Sequence, residues 1–423
     1  MTNCFASQNS PSIMKKILQI NPVLRTNTST GRIIQEIGEL AMANGWESYI
    51  AYSYGRDGLM PCKSKLVPVG NKASVALHGL WTRLTDRHGL ASAGATRAFI
   101  KRIQEIKPDI IHIHNIHGYF LNYKILFNYL AQSNIPVVWT VHDCWLYTGH
   151  CYHYAGVGCD KWQSGCGSCP QRRAFPTSWF IDHSAKNYAD KRAAFTSPTN
   201  MTIVPVSQWM RDEMSRSFLK DCRFQVIHNG IDLDVFRPHD NHAVVRQRYG
   251  LGNKRIILGL ASIWCKEKGW DDFMLMATSL APDELIVLVG VNDKQLEQLP
   301  ANVIGIKRTD NVQQLAELYS AADVFVNPTW QDNYPTVNLE AIACGTPVVT
   351  YRTGGSVEAI TSATGVVVEQ GDVAGLLAAA RSLIQRGKSA HTTACRQHAL
   401  ENFGKQDRYM DYLRLYKRLM VNG

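Results

Sequence analysis

The sequence predicts an α/β protein of two doubly wound, Rossmann-like domains facing a cleft, with a cysteine-rich insertion in the first domain. Three observations predict it. Short apolar runs such as DIIHIHN (109–115), PVVWTVHD (136–143) and ELIVLVG (284–290) alternate with segments of helical period, the pattern of a buried parallel sheet covered by helices. The alternation pauses at a turn and a proline, HNGIDLDVFRP (228–238), and then begins again. The 423 residues are enough for two or three domains with cores of their own. The expected division is an N-terminal extension (1–14), a first domain (15–235, insertion at 144–180), a second domain (236–402) and a C-terminal helix (403–423) crossing back to the first.

KKILQIN (15–21) reads as the first strand, NTSTGR as a small-residue turn containing Gly31, and IIQEIGELAMANGW as a helix with apolar residues at 33, 34, 37, 40 and 41. ESYIAYS (47–53) is the second strand. Residues 72–107 read as two basic amphipathic helices, which either cover the sheet or lie in a membrane interface. The runs 109–115 and 136–143 end in His and Asp, so His112, His114, His117, His142 and Asp143 fall at the carboxyl ends of strands, where open parallel sheets bind ligands. For His112 and His114 the reading is core or capping; for His142 and Asp143 it is function. A helix (183–196) and a strand (201–207) complete the first half. In the second half RIILGLA, ELIVLVG, VIGI and DVFVNP are strands, RTGGSVEAI (352–360) is a Gly-Gly turn running into a helix, and 372–420 is helical throughout. Asp232 and Asp234 form an acid-x-acid pair, but it sits in the turn between the halves, so it is not read as a metal–nucleotide motif.

Bulk properties exclude several classes. No apolar run approaches the roughly 18–20 residues that span a bilayer. The first residues, MTNCFASQNSPSI, show no basic segment followed by an apolar core, so the expected location is cytoplasmic, and Met14 is an alternative start. The net charge of +10 lies wholly in the first half: residues 1–205 hold 21 Lys and Arg against 11 Asp and Glu, and residues 206–423 hold 24 against 24. A basic half fits an anionic partner such as a membrane surface, or a solvated face.

The densest chemistry is WQDNYPTVNLEAIACGTPVVT (330–350). Asp332 lies in a loop, Pro335 in a turn, and Glu340 about one turn into the helix that follows. Two carboxylates so placed can hold hydroxyls on either side of a phosphate resting on the helix N-terminus, whose unpaired N–H groups and partial positive charge attract anions. This reads as a nucleotide-sugar site. The insertion contributes Cys151, Cys159, Cys166 and Cys169, the last two as CxxC. A structural zinc stapling a loop without its own core is one reading; four free thiols, or a redox or iron–sulfur role, are the others.

Together Gly31, His142-Asp143, NGID (229–232), KEKG (266–269), the 330–350 stretch and RTGG…E (352–358) make the chain resemble a retaining glycosyltransferase of the GT-B fold, glycosyltransferase family 4. The GHC…GC…GC..CP insertion resembles the subset that assembles bacterial surface polysaccharide, exopolysaccharide or lipopolysaccharide, colanic-acid-type clusters included. The resemblance implies that Glu340 holds the donor ribose and that Asp332, where relatives carry Glu, contacts the donor sugar. It implies that Lys268 neutralises the diphosphate, that backbone N–H groups of Gly31 and of Asn333, Tyr334, Pro335, Thr336 and Val337 surround it (Pro335 supplying only the turn), and that His142 and Asp143 stand by the transferred sugar. Glu358 would lie behind the Gly354-Gly355 turn. Ile263 stands where relatives carry Arg, so Lys266 or Arg32 is expected as the second cation. The implied reaction needs no metal cofactor. Its partners would be a UDP- or GDP-linked sugar, a lipid-linked saccharide acceptor and the inner membrane surface, where the enzyme would sit peripherally. The rivals are a nucleotide-sugar epimerase of the same architecture and a zinc-stapled nucleic-acid-binding protein. For the latter no recognition signature is present, and no nucleic-acid partner is expected.

Overall fold

The computed structural model describes residues 14–24, 29–53 and 61–421. Residues 1–13 of the expected extension (1–14) and part of the turn before Gly31 lie outside them. The first half forms a seven-stranded sheet: β1 (Lys15–Ile20), β2 (Trp46–Ser53), β3 (Lys65–Val69), β4 (Ile110–Ile113), β5 (Val137–Val141), β6 (Met201–Pro205) and β7 (Arg223–Phe224). Its order is β3-β2-β1-β4-β5-β6-β7, and every pairing is parallel. The second half forms a six-stranded sheet from β8 (Arg255–Leu260), β9 (Glu284–Val289), β10 (Val303–Ile306), β11 (Val324–Asn327), β12 (Val348–Tyr351) and β13 (Gly365–Val368). Its order, β10-β9-β8-β11-β12-β13, repeats the same winding, again parallel throughout. In each sheet the order reverses beside the first strand, so a crevice opens there at the carboxyl ends. The central strands are apolar on both faces because helices cover both: β4, β5, β9, β11 and β12 are buried along their whole length.

The chain passes between the halves at two adjacent points. Ile231 N–H donates to the Phe403 carbonyl at 2.8 Å, and Lys405 N–H donates to the Ile231 carbonyl at 3.0 Å. Lys405 then pairs with Glu36 at 2.7 Å and Asp232 at 2.9 Å. Asp232 also accepts the N–H groups of Asp234 and Val235, so this carboxylate is a structural pin at the crossover. The helix Lys405–Val421 lies against the first half: Tyr416 Oη meets His112 Nδ1 at 2.7 Å, Thr140 Oγ1 donates to Tyr412 Oη at 3.0 Å, and Tyr409 Oη donates to Glu36 at 2.7 Å. His112 is thus a buried core residue, bonded also to Thr140 at 2.8 Å.

Three expectations need correction. Gly31 is not in a turn but is the third residue of the helix Ser29–Ala43. The Gly-Gly turn does not run into a helix: Gly354–Val357 is a single 3₁₀ turn, and Glu358 caps its end. The cysteine segment does have a core. Buried Tyr147, Tyr154 and Trp162 pack together, with Trp162 centred 5.2 Å from Tyr147 and 4.7 Å from Tyr154. Among the described residues no helix is long and apolar enough to cross a membrane.

Candidate functional site

The loop between β11 and the helix Thr336–Ala343 is held by a buried polar network. Asn327 Nδ2 donates to Asn338 Oδ1 at 2.8 Å, Asn338 Nδ2 donates to the Ser356 carbonyl at 3.1 Å, and the Ser356 and Thr350 hydroxyls meet at 2.6 Å. Strand end, helix and Gly-Gly turn are thereby locked together, since a buried polar group without a partner is costly. The turn must be glycine. A Cβ on Gly354, whose φ is +50°, would lie 2.0 Å from the Asp332 carbonyl oxygen, and one on Gly355 would lie 2.0 Å from that of Asn333.

Pro335 occupies the N-cap and supplies no side-chain cap bond, so Thr336 and Val337 open a helix whose first turn faces the cleft without a capping side chain. Thr336 and Glu340 line a cavity of about 180 Å³ together with Arg32, Val312 and the crossover residues Gly230–Asp232. Both halves build it. Burial pushes Glu340 up to about 7, against the Tyr319 hydroxyl, which donates to it at 3.1 Å, and against the positive charge of Arg32. Among the described residues lining this cavity are neither Lys266 nor Lys268.

Lys268 lies farther along the cleft, in the 3₁₀ turn Lys266–Lys268 after β8, and its Nζ meets Asp332 Oδ2 at 2.7 Å. Lys266 is exposed. Asn333 Nδ2 donates to the His142 carbonyl at 2.8 Å, tying the loop to the end of β5. Tyr334 is buried beside His228, with ring centroids 4.8 Å apart. His142 stacks on His114 (14° between planes), its Nε2 3.2 Å from His114 Nδ1, and burial lowers its pKa to about 4. A neutral imidazole therefore stands at the strand end. Asp143 has a different occupation. One oxygen accepts the Trp145 N–H at 2.9 Å and the other meets His117 Nε2 at 2.7 Å. Burial works against its charge, but His117 and that N–H outweigh burial and hold it below the usual range. It orders the end of β5 and is not a free base.

Two side chains make approaches that the sequence does not disclose. Glu358 reaches from the second half to accept the N–H groups of Gln208 (2.9 Å) and Trp209 (2.7 Å) and to meet His228 Nε2 at 3.0 Å, capping the helix Gln208–Ser215 across the cleft. His153, from the cysteine segment, is buried, and neither ring nitrogen has a hydrogen-bond partner. Burial brings its pKa to about 4, opposed by the nearby Asp332 carboxylate. It stands in no sequence motif, and only the fold brings it to Asp332.

The zinc reading gains no ligand set. Cys151, Cys159, Cys166 and Cys169 line one small cavity, yet among the described residues no group of three or more His, Cys, Asp or Glu is placed to hold a metal ion. The segment is anchored instead by buried Lys191, whose Nζ donates to the Trp145 and Thr148 carbonyls at 2.6 and 2.9 Å and sits 3.5 Å over the Trp145 ring.

Two family models match the chain, Glycosyltransferase Family 4 over residues 30–235 and Glycosyl transferases group 1 over residues 254–386. The chain belongs to the family 4 glycosyltransferases. A putative colanic acid biosynthesis glycosyl transferase, WcaC of Escherichia coli K12, is 24% identical to this glycosyltransferase over 95% of the chain and 100% of its own length. The fold is that of sucrose-phosphate synthase from Thermosynechococcus elongatus (TM-score 0.72, 18% identity, 97% and 100% of the two chains covered). It is also that of HepE from Anabaena, solved in complex with UDP (TM-score 0.64, 16% identity, 96% and 100% covered). The paired parallel sheets make it a GT-B enzyme.

Proposed function

We propose that this glycosyltransferase moves a sugar from a nucleoside diphosphate donor, UDP- or GDP-linked, to a lipid-linked saccharide in surface polysaccharide assembly, with the anomeric configuration retained and no metal taking part. The observation that carries the reading is the cavity shared by Glu340, Thr336 and Arg32, with the Lys268–Asp332 pair farther along the same loop. Glu340 as a carboxylate accepts the ribose hydroxyls. The first turn of the Thr336–Ala343 helix and Arg32 receive the diphosphate, and Arg32 takes the second-cation role in preference to exposed Lys266. Ligand entry separates Lys268 from Asp332, freeing the ammonium for the leaving phosphate and the carboxylate for sugar hydroxyls. Breaking the anomeric bond puts negative charge on that phosphate, and fixed cations in a closed cleft stabilise it. His142, neutral, and His153 flank the sugar as hydrogen-bonding groups. The acceptor attacks from the face the phosphate leaves, and the phosphate takes its proton.

The WcaC likeness supports a polysaccharide role, and the UDP seen in HepE supports a nucleotide-sugar donor. A thermal-shift panel of nucleotide sugars tests the reading. A donor at about 100 times its Kd should stabilise the enzyme by about 2.7 kcal/mol. No shift with any UDP- or GDP-sugar would falsify it.

A further inference from the structure

The cysteine segment holds a set of groups that sugar transfer does not use. Cys151, Cys159, Cys166 and Cys169 line one cavity of about 10 Å³, and His150 lines it with them. His150 is buried, its Nδ1 meets Asp86 Oδ1 at 2.5 Å, and its Nε2 has no hydrogen-bond partner. Asp86 is buried too, and its other oxygen accepts the His183 N–H at 2.7 Å. A carboxylate fixed on Nδ1 keeps the ring proton there and makes Nε2 an acceptor. A buried acceptor without a donor is costly, and a thiol proton is the donor this cavity offers.

The thiols are not alike. The turn from Cys166 to Cys169 carries Ser168 at φ +47° and is pinned on both sides. Lys161 Nζ donates to the Gly167 and Ser168 carbonyls at 3.0 and 3.1 Å, and Asp182 accepts the Cys169 N–H at 2.6 Å. Cys169 is half-buried in that turn, whereas Cys151 is 7% exposed. A hydrogen bond from Cys151, with help from His150 and the Gln171 N–H, brings Cys169 down to about 7 against burial and Asp182. Burial instead pushes Cys166 up to about 11. A partly accessible thiolate beside a base is the reactive form of cysteine, and a buried thiol is inert.

We propose that Cys169 and Cys151, served by the Asp86–His150 pair, form a dithiol site that a hydroperoxide oxidises to a disulfide. His150 Nε2 takes the Cys169 proton. The thiolate attacks one peroxide oxygen, the O–O bond breaks, and the departing oxygen leaves as water with the proton from His150. Cys169 is then a sulfenic acid. Cys151 attacks its sulfur, the S–O bond breaks, and the Cys151 proton leaves with the hydroxide as a second water. Two thiols and one hydrogen peroxide thus give one disulfide and two waters.

Two short links carry the change to the cleft. Cys151 stands two residues before His153, and Gln171, two after Cys169, donates its Nε2 to the His153 carbonyl at 2.6 Å. Drawing the sulfurs together to about 2 Å moves both anchors of His153, which stands by Asp332. Sugar transfer should therefore fall by about tenfold or more on oxidation. That consequence, though not the oxidation, rests on the transferase reading above.

Peroxide titration of the reduced full chain tests the proposal, read by peptide mapping without reductant. One equivalent of hydrogen peroxide should cross-link Cys151 to Cys169, and dithiothreitol should reverse it. Cys151→Ser should stop at a sulfenic acid on Cys169, which dimedone traps. His150→Gln should slow the oxidation by about tenfold or more, with melting curves showing that the variant is folded. Where it does not fold, Cys151→Ser carries the test. Oxidation spread over the other cysteines, no reaction at Cys169, or an unchanged rate in folded His150→Gln overturns the proposal. So does one zinc ion per chain in the purified protein, which would assign these thiols to a metal. The disulfide forming in a protein that transfers no sugar even when reduced would sustain the site and overturn the transferase reading alone.

Discussion

Lys268 Nζ lies 2.7 Å from Asp332 Oδ2, so the turn after β8 and the loop after β11 are joined by an ion pair. The pair is partly exposed, so its own worth to stability is about 0–1 kcal/mol. Lys268→Ala should therefore leave thermal unfolding almost unchanged while lowering kcat by about 10²–10³. Steady-state rates beside melting curves check this. A large fall in melting temperature with kcat preserved would make the pair structural.

Glu340 should give donor binding a pH dependence of definite sign. Its pKa is raised by burial to about 7, and the ionised form is the one that accepts ribose hydroxyls. Donor affinity should be full above pH 7 and fall below it, by up to about tenfold per pH unit. Stability of the ligand-free enzyme should run the other way, because a raised carboxyl pKa favours the folded state below the unfolded value, and that benefit is lost as pH rises through 7. Calorimetric titration of UDP or GDP across pH should show the first trend, and Glu340→Gln should flatten it.

Arg32 lowers the Glu340 pKa by its charge. Arg32→Ala should weaken donor binding and also move the pH midpoint upward. Lys266→Ala, altering an exposed side chain outside the cavity, should do neither. A reversed outcome for the two variants would return the second-cation role to Lys266.

Gly355→Ala should push the loop away from its seat, since the new methyl would lie 2.0 Å from the Asn333 carbonyl and 2.9 Å from Ser207 Cβ. Overpacking of this kind costs about 1–3 kcal/mol. We expect a lower melting temperature and a weakened contact between Asn333 and His142, read as a raised donor KM.

Glu358→Ala removes the carboxylate that caps the helix Gln208–Ser215 from the opposite half. A lost cap costs about 0.5–2 kcal/mol. Chemical denaturation should report that loss, and Glu358→Gln should restore part of it by keeping an acceptor oxygen.

The two windings were legible because strands buried on both faces are apolar runs that need no partner to be read, as β5 and β9 illustrate. β3 was missed because an edge strand alternates in exposure and this one contains Pro68. β13 was missed as a four-residue strand with two half-buried positions. Asp332 in its loop, Glu340 in the helix that follows and His142 beside the end of β5 stand in local patterns and could be named. Glu358 could be named from RTGG…E but its contacts could not, and His153 stands in no motif. The contacts of Glu358 lie across the cleft, 130 to 150 residues away, and pairing at that range has no local signal. The cysteine spacing is a strong local pattern, but it does not disclose that Tyr147, Tyr154 and Trp162 give the segment its core.

The helix Lys405–Val421 has a consequence for how the chain is made. Its tyrosines seal His112 and Thr140, which belong to strands near the middle of the first sheet. The N-terminal half leaves the ribosome early but lacks this wall until the last seventeen-residue helix is synthesised. During translation the first half should wait with an apolar face uncovered, in which Ile17, Ile110, Val138 and Val204 surround His112 and Thr140. A nascent chain stalled before residue 405 should expose that face to proteases and chaperones, and the same residues supplied in trans would be the natural ligand for it.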